Sequence, residues 1–287
     1  MDTAAHKVQI LSEALPFIRR YHGETIVIKY GGSAMTDETL KTAFARDVSL
    51  LKLVGVNPVV VHGGGPQISK TLAALGKKSR FVDGLRYTDN DTMDVVEMVL
   101  GGLANSQIVR QINNEGGRAV GISGKDGNLL QARRLKIKKS KGDVNLGLVG
   151  QVEKIDGKVV ALLDKADFIP VIAPIGVDEK GDTLNINADL VAAALAVELS
   201  AKALFLFTNT AGVLDGRGKL IAELRAAKAR KLLKDGVIQG GMQPKVQCAL
   251  QAVSKGISSC RIINGSHPHS LLLEIFTDVG CGTRISQ

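Results

Sequence analysis

Four short stretches carry residues whose types and spacing could do chemistry. Lys29 ends a short apolar strand and is followed by Gly31-Gly32, and three consecutive glycines, 63–65, follow a second strand. "NINAD", 185–189, sets polar groups near the start of a helix, and Lys245 stands behind "GGMQP", 240–244. Glycine loops and helix N-termini bind anions through backbone N–H groups and the helix dipole. The two lysines add positive charge at fixed points. This is the equipment of phosphoryl transfer, where catalysis is mostly positioning and neutralisation of charge on equatorial oxygens. None of the glycine loops carries a His or Asp base of the protein-kinase type, which a hydroxyl acceptor would ordinarily want. A carboxylate acceptor, with a pKa near ~4.3, is already ionised and wants none. Its product would be an acyl phosphate. His62, just before the glycine triplet, reads as support for the loop and not as a catalyst.

Several other machines are excluded. No GxxxxGK[ST] and no GxGxxG after the first strand are present, which argues against a P-loop enzyme and a nicotinamide cofactor. "HGGG" also occurs in lipase oxyanion holes, but the GxSxG elbow that reading needs is missing. The net charge of +9 could suit a polyanion or a phosphorylated substrate. Its densest basic run, "ARRLKIKKSKGD" (132–143), alternates like a solvated hairpin arm and carries no aromatic residue. With aromatics at 3% and no tryptophan, no nucleic-acid partner is expected. Cys248, Cys260 and Cys281 lack CxxC spacing, so they read as reduced thiols of a cytoplasmic protein. "HPH", 267–269, supplies two histidines without further ligands, so no protein-bound metal is expected. The longest apolar helix candidate, 190–207, is interrupted by Glu198 and Lys202, so no membrane span is expected.

The elements that must hold these groups alternate strand and helix along the whole chain. An amphipathic N-terminal helix carries Val8, Leu11, Leu15 and Ile18 on one face. Apolar strands end at Lys29, at His62, in "RAVGIS", in "FIPVIAPIGV", in "KALFLFT" and in "SSCRIING", the last core strand expected. Helices fill the gaps; Pro66 suits a first turn, Gly101-Gly102 a kink, and "IAELRAAKARKLLKDG" reads as one helix. Residues 132–160 read as β-hairpins with turns at Lys141-Gly142-Asp143 and Asp156-Gly157. The expected fold class is α/β, a three-layer α/β/α sandwich around a mostly parallel central sheet. Glycine loops at the C-terminal ends of strands are where such sheets bind ligands.

The strings "VIKYGGSAM", "VHGGGPQI", "DGLRYTD", "LNINADLVA", "GVLD" and "GGMQPKV" closely resemble the N-acetylglutamate kinases of the amino-acid kinase family, in order over roughly residues 8–286. The resemblance implies transfer of a phosphoryl group from ATP, with Mg²⁺, to the γ-carboxylate of N-acetyl-L-glutamate. It implies that Lys29 and Lys245 stabilise the transferring group and that Asp189 orients both. Gly64 and Gly65 match backbone contacts to the substrate, Arg86 the partner of its α-carboxylate, and Asn185 the side chain gripping the acetamido group. Gly31, Gly32, Thr208, Asn209, Gly241 and Met242 fall at the nucleotide. The family usually reads "TD" where this chain has Thr208-Asn209, and "NGSHPHS" (264–270) also departs from the usual pattern. The N-terminal helix and the ending "HSLLLEIFTDVGCGTRI" are similar to those of the arginine-inhibited, hexameric branch. L-Arginine is thus an expected effector, with His269 and Glu274 as contacts and a homodimer or homohexamer as the assembly. The implied organisation is an N-terminal helix (1–22), an N-lobe for the acyl substrate and dimerisation (23–182), and a C-lobe for the nucleotide (183–287). Two alternatives stay open at this point: a same-fold kinase for another carboxylate or carbamate, and a regulatory binding partner with weakened catalysis.

Overall fold

Strand residues buried on both faces are mostly apolar, and eight strands, those at the edges shorter and partly exposed, build one sheet. We number them β1 (Thr25–Tyr30), β2 (Asn57–His62), β3 (Ala119–Ser123), β4 (Ile169–Ala173), β5 (Ala203–Thr208), β6 (Glu223–Arg225), β7 (Ser259–Asn264) and β8 (Gly282–Ser286). In this computed structural model, which describes residues 3–139, 142–278 and 280–287, their order is β6-β8-β7-β5-β1-β2-β4-β3. From β7 through β3 all pairings are parallel, and β8 runs antiparallel to β7. The glycine loops after β1 and β2 therefore leave the same edge of the sheet, with Lys29 level with Val61 and with Leu206.

Ten helices among the described residues cover the sheet: α1 (Thr3–Tyr21), α2 (Glu38–Leu53), α3 (Gly65–Ala74), α4 (Asn90–Glu97), α5 (Asn105–Asn114), α6 (Lys158–Lys165), α7 (Ala188–Glu198), α8 (Ala226–Lys234), α9 (Met242–Ser254) and α10 (Ser270–Phe276). Helices α2, α5 and α10 pack on one face and α6 to α9 on the other, which gives the three layers. The period-2 alternation of a strand decides which side chain faces which layer. Ile26, Ile28 and Tyr30 enter the core shared with α2 and α5, and Val27 enters the core shared with α7 and α9. Lys29 has the parity of Val27, so it is presented toward α7. Tyr30 locks that orientation from the other side: its ring stacks on Phe44 at 3.7 Å and meets Phe207 edge-on at 6.0 Å.

A second, closed barrel is made by Leu130–Arg134, Val149–Ile155, Ile175–Val177 and Thr183–Ile186. Its last strand carries Asn185 and runs directly into α7. Between α4 and α5, residues Met98–Ala104 wind as a π-helix at the expected Gly101-Gly102 kink. No helix among the described residues is long and apolar enough to cross a membrane.

Four expectations are corrected. The stretch 190–207 is no single helix: α7 stops at Glu198 and β5 starts at Ala203. Asp156-Gly157 leads into α6, with Asp156 accepting from the Lys158 N–H, instead of turning a hairpin. Residues 223–225 form the edge strand β6 before α8, and β8 follows the strand expected to be last. Both strands are short and find their partners far away in sequence, a pairing that local periodicity does not report. In the basic run, Ile137–Lys139 and Gly142–Val144 do pair as a hairpin, while Lys141 lies outside the described residues.

The aromatic contact anchoring the Lys29 strand should carry stability. Phe44→Ala is expected to lower unfolding free energy by about 3–5 kcal/mol, read from urea melts, and Phe44→Leu by clearly less. Equal stability of the Ala variant and the parent would show that the stack does not hold this strand end.

Candidate active site

Lys29 reaches the N-terminus of α7, where Asp189 lies in the first turn. That turn is fixed by Asn187, whose side chain caps the helix by accepting from the Asp189 N–H at 2.8 Å. From α9, Lys245 donates to both oxygens of the same carboxylate, at 3.0 Å and 2.8 Å, and Lys29 Nζ stands 3.4 Å from Oδ1. The three side chains are only 12–14% exposed. Cys248, one turn along α9, donates its thiol proton to the Asp189 carbonyl and ties the two helices together.

The electrostatics follow from two ammoniums sharing one carboxylate. Burial lowers the Lys29 pKa from its ordinary value, the attraction of Asp189 works against that, and Lys245 adds to it. For Asp189, burial acts upward, but Lys29 and Lys245 outweigh it and hold the carboxylate below its usual range. The cluster thus keeps one net positive charge in a dry place, ready for an anion. Gly31 makes room for it: a Cβ there would stand 2.7 Å from Lys29 Nζ.

The glycine triplet lies one strand away. The Gly63 N–H is bound to the Tyr30 carbonyl at 2.8 Å, and Gly65-Pro66 opens α3. His62 supports the loop as expected. Asn105 spends one amide hydrogen on the Val171 carbonyl and offers the other to His62 Nε2, so the ring proton sits on Nδ1 and is donated to the Gly63 carbonyl. Burial pushes the His62 pKa down to about 4 and keeps the ring neutral. Gly64 packs closely on Leu100: a Cβ there would lie 2.3 Å from Leu100 Cδ2, so a side chain at 64 would have to push the Leu100 side chain aside.

The triplet, Arg86, Asn185 and the start of α7 line one cavity of about 200 Å³. Arg86, 7% exposed, donates to Ser79 Oγ, Ser69 Oγ and the Gly65 carbonyl, and its guanidinium lies 4.7 Å above the Phe81 ring. Asn185 donates to Thr88 Oγ1 at 3.2 Å. A cationic fork, a carboxamide, backbone amides and a helix N-terminus around a small cavity can take an anionic small molecule with a second polar end.

On the other side of Lys29, Gly32 and Thr208-Asn209 are brought together: Asn209 Oδ1 accepts from the Ser33 N–H at 2.8 Å. Gly241 and Met242 open α9 just before Lys245. His269 and Glu274 are not brought to one place. His269 donates from Nδ1 to Asp47 at 2.6 Å and faces an apolar groove between α1, α2 and α10. Glu274 is buried, with Arg261 donating to one carboxylate oxygen and the Cys281 N–H to the other. Ser69, Ser79, Phe81, Asn105 and Cys248 carried no sequence signal; Thr88 and Asn187 did, lying inside quoted motifs.

Residues 24–264 match the model of the amino acid kinase family. The chain belongs to that family. It is 57% identical over 282 residues to the acetylglutamate kinase of Nitrosomonas eutropha, covering 97% of this chain and 96% of the relative. Among solved structures, N-acetylglutamate synthase from Neisseria gonorrhoeae, in complex with coenzyme A and N-acetyl-glutamate, superposes with a TM-score of 0.86 at 28% identity. The match covers 98% of this chain but 63% of that one. Carbamate kinase from Giardia lamblia shares the fold, with a TM-score of 0.66 at 19% identity over 92% of this chain and 98% of that one.

Neutral His62 makes a sign-definite statement about stability. Unfolded, its pKa is the ordinary 6.5; folded, it is about 4. Between these values the unfolded chain binds the extra proton, so the contribution is complete above 6.5 and is lost as pH falls toward 4. His62→Gln should flatten the acid side of the stability curve by about 3 kcal/mol. Asp47, pushed up to about 6 chiefly by burial, titrates alike in both proteins and cancels. An unchanged slope in denaturant melts at pH 4 to 7 would contradict the neutral, buried ring.

Proposed function

We propose that this chain transfers the γ-phosphoryl group of ATP to the γ-carboxylate of N-acetyl-L-glutamate, giving N-acetyl-L-glutamyl 5-phosphate and ADP. This is the second step of arginine biosynthesis through acetylated intermediates. The observation that carries the reading is the buried Lys29–Asp189–Lys245 cluster, set between the small cavity and the Gly31-Gly32 loop. The identity to acetylglutamate kinases over nearly the whole chain supports it.

In this reading Arg86 pairs with the α-carboxylate, Asn185 grips the acetamido group, and the Gly64 and Gly65 amides face the reacting carboxyl. The acceptor is already ionised, so no general base is needed. Lys29 and Lys245 neutralise charge on the transferring group, and Asp189 keeps both ammoniums aimed and charged. Gly31, Gly32, Thr208, Asn209, Gly241 and Met242 surround the nucleotide, so residues 23–182 chiefly serve the acyl substrate and 183–287 chiefly the nucleotide, with Asn185 reaching across to the first and Gly31-Gly32 to the second. Mg²⁺ enters as Mg–ATP. As a hard cation it would be held chiefly by the phosphate oxygens and water. L-Arginine as inhibitor and assembly as a homodimer or homohexamer complete the proposal. Exposed Val8, Leu11 and Leu15 on α1, and the groove of about 880 Å³ that α1 forms with α2 and α10, support a helix used for association.

ADP release is expected with ATP, Mg²⁺ and N-acetylglutamate, and not with unacetylated glutamate. Added arginine should suppress it. Turnover that ignores the acetyl group would overturn the substrate assignment, and turnover indifferent to arginine would remove the effector alone.

The lysine charge sets a second expectation. Lys29 loses its proton as pH rises through its folded pKa, and burial places that below the ordinary 10.5. kcat/KM should therefore fall on a basic limb centred below 10.5. A limb in the ordinary lysine range would mean that Lys29 is not the buried charge the reaction uses.

A further inference from the structure

The loops after β1, β5 and β7 leave the sheet side by side, and a short chain of hydrogen bonds through Ser33 ties them. Asn209, the first residue past β5, accepts with Oδ1 both the Ser33 N–H at 2.8 Å and the Ser33 hydroxyl at 3.1 Å. With its proton spent there, Ser33 Oγ accepts from Ser266 Oγ, 2.9 Å away in the loop after β7. The approach is close. Gly32 has φ +76°, and a Cβ on it would lie 2.2 Å from Asn209 Oδ1. One residue earlier, Gly31 lies against the Lys29 ammonium. The segment that Asn209 clasps is therefore the one that covers Lys29.

We infer that Asn209 is a positioning residue, whose Oδ1 fixes the Gly31–Ser33 loop over Lys29 in the arrangement that receives the nucleotide phosphates. What position 209 requires is a fixed acceptor, not a charge. Both Ser33 bonds end on one oxygen, which a carboxamide and a carboxylate supply equally. The carboxamide does so without adding a negative charge beside the phosphates. The inference rests on the nucleotide half of the proposed function.

The test compares Asn209→Leu, similar in shape but without an acceptor, with Asn209→Asp. Each is measured by titration with ADP and by kinetics in Mg–ATP and N-acetylglutamate. Asn209→Leu should weaken ADP binding and raise the KM for Mg–ATP about five- to tenfold, the scale of one net hydrogen bond. The KM for N-acetylglutamate should stay within about twofold, a split that general loosening of the fold would not produce. Asn209→Asp should recover most of the nucleotide affinity. Parental ADP affinity in the Leu variant, equal losses for both substrates, or failure of Asp to recover would each overturn the inference. A parent protein that binds ADP and turns over leaves the proposed function standing in those cases, whereas a parent that binds no adenine nucleotide overturns both.

Discussion

One buried carboxylate held between two ammoniums is the constraint around which this molecule is arranged. Lys29, Asp189 and Lys245 come from β1, α7 and α9, elements separated by most of the chain. Taking three charges out of water is costly, and one carboxylate cannot compensate two lysines. The cluster is therefore a poor device for stability and a good one for receiving an anion. Without Asp189, two desolvated cations would face each other. With it, the two are fixed in place and kept charged, and one positive charge is left over. The rest of the core can be seen as the frame for that arrangement: Tyr30 pinned by Phe44, Asn187 capping α7, Cys248 bound to the Asp189 carbonyl.

The second constraint is space. The backbone comes within contact distance of the Lys29 ammonium at Gly31 and of Leu100 at Gly64, so a Cβ at either place would displace that side chain. That is the physical content of the glycine-rich strings in the sequence. Neutral polar groups then do the aligning. His62 and Asn105 share their hydrogens so that the triplet is held by an uncharged ring, and Ser69 and Ser79 orient Arg86 without competing for its charge. Charge is kept for the ligand, and hydrogen bonds between neutral groups set the geometry.

Much of this was legible because it is local. Lys29 at a strand end beside glycines, the triplet after β2, the capped start of α7 and Lys245 at the start of α9 each announce themselves within a few residues. The alternation of strand and helix gave the sandwich. What was not legible depends on meetings between distant segments. β8 is a five-residue stretch whose partner lies across α10. Phe81 and Ser79 matter only because a short hairpin brings them to Arg86. Glu274 looked available in the sequence, yet Arg261, facing it from β7, takes its carboxylate. Asn209 looked like a lost charge, and the structure shows it spending its oxygen on a neighbouring loop.

The π-helical stretch Met98–Ala104 ties these levels together. Its wider winding sits between two contacts on the glycine triplet: Leu100 against Gly64, and Asn105, the first residue of α5, against His62. In an α-helix each residue advances the face by about 100°. Rewinding this stretch as an α-helix with its length kept would set Leu100 and Asn105, five residues apart, about 140° out of phase, so that one helix could no longer serve both. The spacing between these two residues is as much a part of the site as the lysines are.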